Sequence, residues 1–187
     1  MKKLALFASG NGSNVKAILQ YFKNNDIIKF PLICSNNPKA GVLGLAKDNN
    51  IPTFIFDKET FGKSNFIAEL QNFKIDGIIL AGFLWKIPEN LIDVFPDKIL
   101  NIHPALLPKY GGKGMYGHYV HEAVKENNEI ESGITIHVVN KNYDEGKILL
   151  QKKVLLNEDD NVEKIAQKVL KLEHKYYSKV IENYFEK

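Results

Sequence analysis

Short runs of β-branched and other apolar residues alternate along this chain with longer stretches of helical period. That alternation is the mark of a parallel sheet joined by crossover helices. The predicted strands cover residues 4–8, 30–34, 53–56, 77–80 and 99–101, then 133–139 and 147–155. The first helix is predicted to start at Ser13 or Asn14 and to bury Val15, Ile18, Leu19 and Phe22 on one face; the others cover about 41–49, 63–73, 88–95, 118–126 and 161–184. Pro88 suits a first helical turn, because it gives up only an N–H that has no partner there. The short loop NKNYDEG between the last two strands predicts an antiparallel hairpin at one side of the sheet. The expected fold class is therefore α/β, an open and mostly parallel sheet with helices on both faces.

Composition narrows the class further. A chain of 187 residues with 44% apolar and 25% charged side chains can bury one core and should fold as a single domain, residues 1–187. The longest uninterrupted apolar run, residues 77–85, is far below the roughly 20 residues that span a bilayer. The opening MKKLALFASG leads into a Gly/Asn turn, so it reads as a strand and not as a targeting segment. The lone Cys34 cannot form an intramolecular disulfide and reads as a small buried hydrophobe; a cytosolic protein is expected. All 25 basic residues are lysine, so any clamp on phosphate or carboxylate must use lysine, backbone amides or amide side chains. The net charge of +3 is spread among acids, which argues against a nucleic-acid stripe.

Four segments carry possible chemistry. FASGNGSN (7–14) runs from a strand end into a helix, where free N–H groups favour an anion. Gly10 and Gly12 would let the backbone approach a phosphate, with Ser13 and Asn14 adding donors; a plain capped turn fits the local pattern too. Val15 takes the place of the third glycine of a dinucleotide fingerprint, and strand two ends in Ser35-Asn36-Asn37 with no acid for a ribose. A small-molecule monophosphate fits better than a dinucleotide. Asn101 and His103 lie two apart at the C-terminal edge of a strand, so both heads can face one point. An amide donor and an imidazole there could serve an oxyanion and a proton, and Pro104 and Pro108 stiffen the exit.

SGITIHVVNKNYDEGKIL (132–149) reads as a strand, a turn holding Asp144, and a return strand. Beside His103, Asp144 would orient the imidazole and raise its pKa. His137, in mid-strand, reads as a packed or half-exposed sheet residue. LAGFLWKIP (80–88) could be core, or could wall a flat heteroaromatic ligand. His118 and His121, with no cysteine or carboxylate pair nearby, do not make a metal site, and no metal is assigned.

Taken in order, SGNGSN, LAGF, NIHPALLPKY, SGITIHVV with DEG, and LEH at 172–174 make the chain similar to the phosphoribosylglycinamide formyltransferase family over essentially its whole length. The resemblance implies a Rossmann-like formyltransferase fold. It also implies transfer of the formyl group of 10-formyltetrahydrofolate, as co-substrate, to the amine of N1-(5-phospho-D-ribosyl)glycinamide in de novo purine synthesis. By that resemblance the catalytic residues are Asn101, His103 and Asp144. The nucleotide phosphate and ribose fall to Gly12, Ser13, Asn14 and Glu173. Folate falls to Lys63, Leu84, Trp85, Lys86, Ile87, Asn101 and Val139. The family carries arginines where Trp85 or Lys86 and Lys63 now stand, and a lysine attracts an anion as a point charge with no fork. The glycine-rich GGKGMYG, residues 111–117, is expected to act as a lid.

The expected partners are small-molecule substrates, with no nucleic acid and no membrane, in a monomer or weak homodimer. A methionyl-tRNA formyltransferase would be expected to extend further at the C-terminus, and a formyltetrahydrofolate hydrolase at the N-terminus. Sugar-nucleotide formyltransferases share the Asn/His/Asp trio, but the GNGSN turn suits a ribose monophosphate better. A catalytically silent metabolite-binding module would have no need of the trio.

Overall fold

The computed structural model describes residues 1–186. Strands β1 (Lys2–Phe7), β2 (Ile28–Ser35), β3 (Thr53–Ile55), β4 (Gly77–Leu80), β5 (Ile99–His103), β6 (Glu131–Val138) and β7 (Ile148–Leu155) form one sheet in the order β3-β2-β1-β4-β5-β6-β7. The first five are mutually parallel, whereas β6 runs antiparallel to β5 and β7 antiparallel to β6. The chain leaves β1 toward β2 on one side and later enters β4 on the other. This reversal opens a crevice beyond the strands' C-terminal ends, the place where open α/β sheets bind ligands.

Alternation along β1 explains the two-sided core. Leu4 and Leu6 pack with Val15 and Ile18 of α1 (Ser13–Tyr21), Val42 and Ala46 of α2 (Val42–Asp48), Val124 of α5 (His118–Glu126), and Ile165, Val169, Tyr177 and Ile181 of α6 (Val162–Phe185). Ala5 and Phe7 face the opposite side with Phe66 and Leu70 of α3 (Ser64–Asn72) and Leu91 and Ile92 of α4 (Glu89–Val94). Period two in the strands and period 3.6 in the helices thus meet on both faces. Cys34 is buried near the end of β2, as the sequence predicts.

Tyr177 ties α6 to the sheet. Its hydroxyl is shared between the Leu80 carbonyl at 2.9 Å and the Leu100 carbonyl at 3.1 Å, at the ends of β4 and β5. One turn earlier on the same helix face, Glu173 is presented to the crevice. Pro88 is the N-cap of α4 and not its first residue. No helix among the described residues is long and apolar enough to cross a membrane.

Candidate active site

A cleft of about 910 Å³ opens at the C-terminal ends of the parallel strands. Its walls include Ser13, Asn14 and Glu173 at one end and Leu84, Trp85, Lys86, Ile87 and Val139 at the other, with Asn101, His103, His137 and Asp144 between them. Residues from five separate stretches of chain therefore share one cavity. Gly12 and Lys63 are not among the lining residues. Gly12 caps α1 from behind in a left-handed conformation, φ 78°, against Val42. Lys63 is the N-cap of α3 and does not reach the cleft lining.

At the end where Ser13, Asn14 and Glu173 lie, α1 begins without any side-chain cap, which leaves its first N–H groups free for an anion. Asn14 donates one Nδ2 hydrogen to Glu173 Oε2 at 2.7 Å, which leaves the other for a ligand. The carbonyl oxygen Oδ1 of Asn14 is buried with no partner among the described residues. A ligand hydroxyl donating to it would remove the cost of that orphan acceptor. Burial pushes the Glu173 carboxyl up to about 7, against the opposing pull of the Asn14 bond.

The centre is set by β5 and β6. Their antiparallel register pairs Asn101 with His137 and His103 with Thr135. Asn101 Nδ2 lies 3.1 Å from His137 Nε2, and His137 Nδ1 lies 3.1 Å from its neighbour's carbonyl, Val138 O. A carbonyl only accepts, so His137 carries its hydrogen on Nδ1 and accepts from Asn101 at Nε2. That bond fixes the amide plane and leaves the second Nδ2 hydrogen for another acceptor.

Asp144, at the left-handed φ of 55° in the β6–β7 connection, sits beside both histidines. Its Oδ2 is 3.7 Å from His103 Nδ1, and its Oδ1 is 3.6 Å from His137 Nε2. Gly112 donates its N–H to Asp144 Oδ2 at 2.9 Å, so the glycine loop closes directly onto the carboxylate. Burial would raise the Asp144 pKa, but His137, the charge on His103 and the Gly112 N–H together hold it below the usual carboxylate range.

Two sequence expectations need correction. Asp144 does pull the His103 pKa upward, but the desolvation of a ring only 4% exposed outweighs it, and the net shift is downward. The imidazole is also not oriented by Asp144 at hydrogen-bond distance; its Nε2 is 2.7 Å from the Tyr110 carbonyl oxygen. His137 is packed in mid-strand as expected, but its ring also lines the cleft and holds Asn101. Its signal is present in the alternation of ITIHV, which puts His137 opposite Asn101 once β5 and β6 are known to be antiparallel neighbours.

The far wall is apolar and aromatic. Trp85 packs against Phe56, Phe61 and Phe83, and Leu84 projects 44% exposed beside it. The Lys86 ammonium lies 5.5 Å from the Tyr143 ring and Lys58 lies 5.6 Å from the Trp85 ring, so cations flank this end. No group of three or more His, Cys, Asp or Glu side chains among the described residues is placed to hold a metal. His118 pairs with Glu122 at 3.1 Å, and His121 is buried with its Nδ1 unpartnered.

Comparison with known proteins agrees with this geometry. The family model described as formyl transferase matches residues 2–181. The chain is 39% identical over 188 residues to the phosphoribosylglycinamide formyltransferase of Bacillus subtilis, covering 97% of this chain and 93% of that one. It is 42% identical over 190 residues to the chloroplastic phosphoribosylglycinamide formyltransferase of Arabidopsis thaliana, covering 96% of this chain but 64% of that longer relative. Among solved structures, glycinamide ribonucleotide transformylase 1 from Geobacillus kaustophilus superposes with a TM-score of 0.89 at 30% identity over 99% of both chains. From the matched residues, the shared fold and the degree of identity, the chain belongs to the formyl transferase family, among its phosphoribosylglycinamide formyltransferases.

Proposed function

We propose that this protein transfers the formyl group of 10-formyltetrahydrofolate to the amine of N1-(5-phospho-D-ribosyl)glycinamide, a step of purine assembly. The observation that carries this reading is the meeting of Asn101, His103 and Asp144 midway along one cleft, between a helix N-terminus and an aromatic wall. The uncapped start of α1, with Ser13, suits a phosphate, and Asn14 with Glu173 suits the ribose hydroxyls. Leu84, Trp85, Ile87 and Val139 suit a flat heteroaromatic ring, with Lys86 near an anionic tail.

The folate supplies an activated formyl group; this chain's residues supply orientation and charge. Two substrates held end to end gain from proximity, worth roughly up to 7–11 kcal/mol in ideal intramolecular models. As the amine adds to the formyl carbon, the second Nδ2 hydrogen of Asn101 is available to the developing oxyanion. His103, largely neutral near pH 7 because burial lowers its pKa, can accept the amine's proton. Asp144 then stabilises the imidazolium, and the proton is passed on to the leaving nitrogen. The glycine loop, joined to Asp144 through Gly112, would keep water from the joined substrates. A cytosolic monomer or weak homodimer completes the reading.

Mixing the purified protein with 10-formyltetrahydrofolate and following absorbance, with and without the glycinamide nucleotide, tests it. Deformylation only when the nucleotide is present supports the transferase. Nucleotide-independent loss would point to a hydrolase, and no loss to a binding module or another acceptor.

A further inference from the structure

Resting on that functional reading, we propose that Tyr110 and Glu129 are positioning residues for His103. The Tyr110 carbonyl fixes the imidazole as its Nε2–H tautomer, which leaves Nδ1 as the nitrogen that exchanges the proton. His103 Nε2 lies 2.7 Å from Tyr110 O, and a carbonyl oxygen can only accept, so Nε2 must carry hydrogen in either charge state. Nδ1 faces Asp144 Oδ2 at 3.7 Å, too far for a hydrogen bond, and Asp144 already accepts from Gly112 at 2.9 Å. In the neutral ring, Nδ1 therefore holds a free lone pair on the cleft side.

The carbonyl itself needs support. Tyr110 has φ 58°, a left-handed conformation that a bulky residue keeps only when its surroundings enforce it. Its hydroxyl donates to Glu129 Oε1 at 2.9 Å, and Lys109 Nζ reaches the same oxygen at 2.8 Å. Glu129 is anchored in the turn after α5, where its N–H donates to Val124 O at 3.2 Å. Upstream, the Leu107 N–H donates to Thr135 Oγ1 on β6 at 3.0 Å. The strap from His103 to Tyr110 is thus tied at both ends, and the Tyr110 carbonyl cannot swing away from the ring. Burial and Glu129 raise the Tyr110 phenol to about 12, so this donor stays protonated at working pH.

The proton count closes on this arrangement. The attacking nitrogen gives one proton to the Nδ1 lone pair, producing an imidazolium whose Nε2–H still donates to Tyr110 O. Nδ1 then returns that proton to the leaving nitrogen, and Nε2–H is never exchanged with substrate.

The test is a long-range proton–nitrogen correlation spectrum of the full chain labelled with ¹⁵N-histidine at pH 8, with His103 assigned by its absence from His103→Asn. The wild type should show the Nε2–H pattern for His103. Tyr110→Phe and Glu129→Ala should mix in the Nδ1–H form and lower kcat about three- to tenfold, with KM for both substrates little changed. A wild-type spectrum with hydrogen on Nδ1 overturns the tautomer. Folded variants with an unchanged His103 spectrum overturn the clamp, whatever their turnover. The wild-type spectrum needs no substrate, so an Nε2–H pattern in a chain without transferase activity would refute the functional reading and leave the tautomer standing.

Discussion

Asn14 on α1 and Glu173 on α6 meet at one end of the cleft, the amide donating to the carboxyl at 2.7 Å. The contact joins the first helix to the last, 159 positions apart, and places a buried carboxyl in the wall of the cleft. Burial is the larger influence and raises that carboxyl from 4.5 to about 7. A group whose folded pKa exceeds its unfolded value stabilises the fold fully below the unfolded pKa and loses that contribution as pH rises through the folded one. The window here runs from pH 4.5 to about 7. Glu173→Gln mimics the protonated carboxyl, so it should be more stable than the wild type by about 3 kcal/mol at pH 8. The two should converge below pH 4.5, with nucleotide affinity reduced throughout. Urea unfolding at both pH values decides it; a variant less stable at pH 8 would mean that the carboxylate is favoured in the free protein.

His121 should behave with the opposite sign. Burial first, then the charges of His118 and His103, push its pKa from 6.5 down to about 4. The unfolded chain takes up a proton near pH 6.5 and the folded one only near pH 4, so stability falls as the pH is lowered across that window. His121→Asn should flatten this dependence, changing the variant-minus-wild-type difference by about 3 kcal/mol between about pH 7.5 and pH 4. Because Glu173 works the other way between pH 4.5 and 6.5, the wild-type curve alone understates both groups. The difference curves separate them, and a parallel pair of curves would remove His121 from the account.

Turnover should depend on the central trio more steeply than binding does. His103→Ala should leave nucleotide binding nearly intact and lower kcat by roughly 10²–10⁴-fold, the range of a lost general acid–base group. Asp144→Asn removes a charge that pulls the His103 pKa upward, so the acidic limb of kcat/KM should move to lower pH while the maximum falls. Calorimetric titration with the nucleotide and a pH–rate profile check both. Full turnover in His103→Ala, or an acidic limb that moves upward in Asp144→Asn, contradicts the assignment.

The strands and helices are largely legible in the sequence because each has one period and one apolar face, with ends displaced by a residue or two. β5, for instance, continues through His103 where the sequence suggests a stop at Asn101. The trio is legible too, since strand ends and a turn announce it. The supporting groups are not. His137 acts through a cross-strand register that linear spacing does not encode, and Tyr110 acts through a backbone carbonyl, which every residue possesses. The sign of the His103 shift escapes a linear reading because a sequence displays the carboxylate but not the burial that outweighs it. Lys63 falls outside the cleft for a similar reason: position along the chain does not tell which side chains reach the cavity.

The two glycines of the GNG turn should respond differently to a methyl group. Gly12 has φ 78°, and a Cβ there would come within 2.7 Å of the Val42 side chain in α2. A Cβ on Gly10 would meet no atom within 4 Å, and its backbone has no positive φ. Gly12→Ala should therefore destabilise the fold by about 1–3 kcal/mol, combining left-handed strain with overpacking, whereas Gly10→Ala should stay within about 0.5 kcal/mol of the wild type. The cost of Gly12→Ala also falls where α1 begins, so the N–H groups offered to a phosphate should shift and nucleotide affinity should drop with stability. Thermal melts with and without nucleotide distinguish the cases. If Gly12→Ala melts like the wild type, the turn is looser than its packing against α2 implies, and Gly12 is not what fixes the start of the helix.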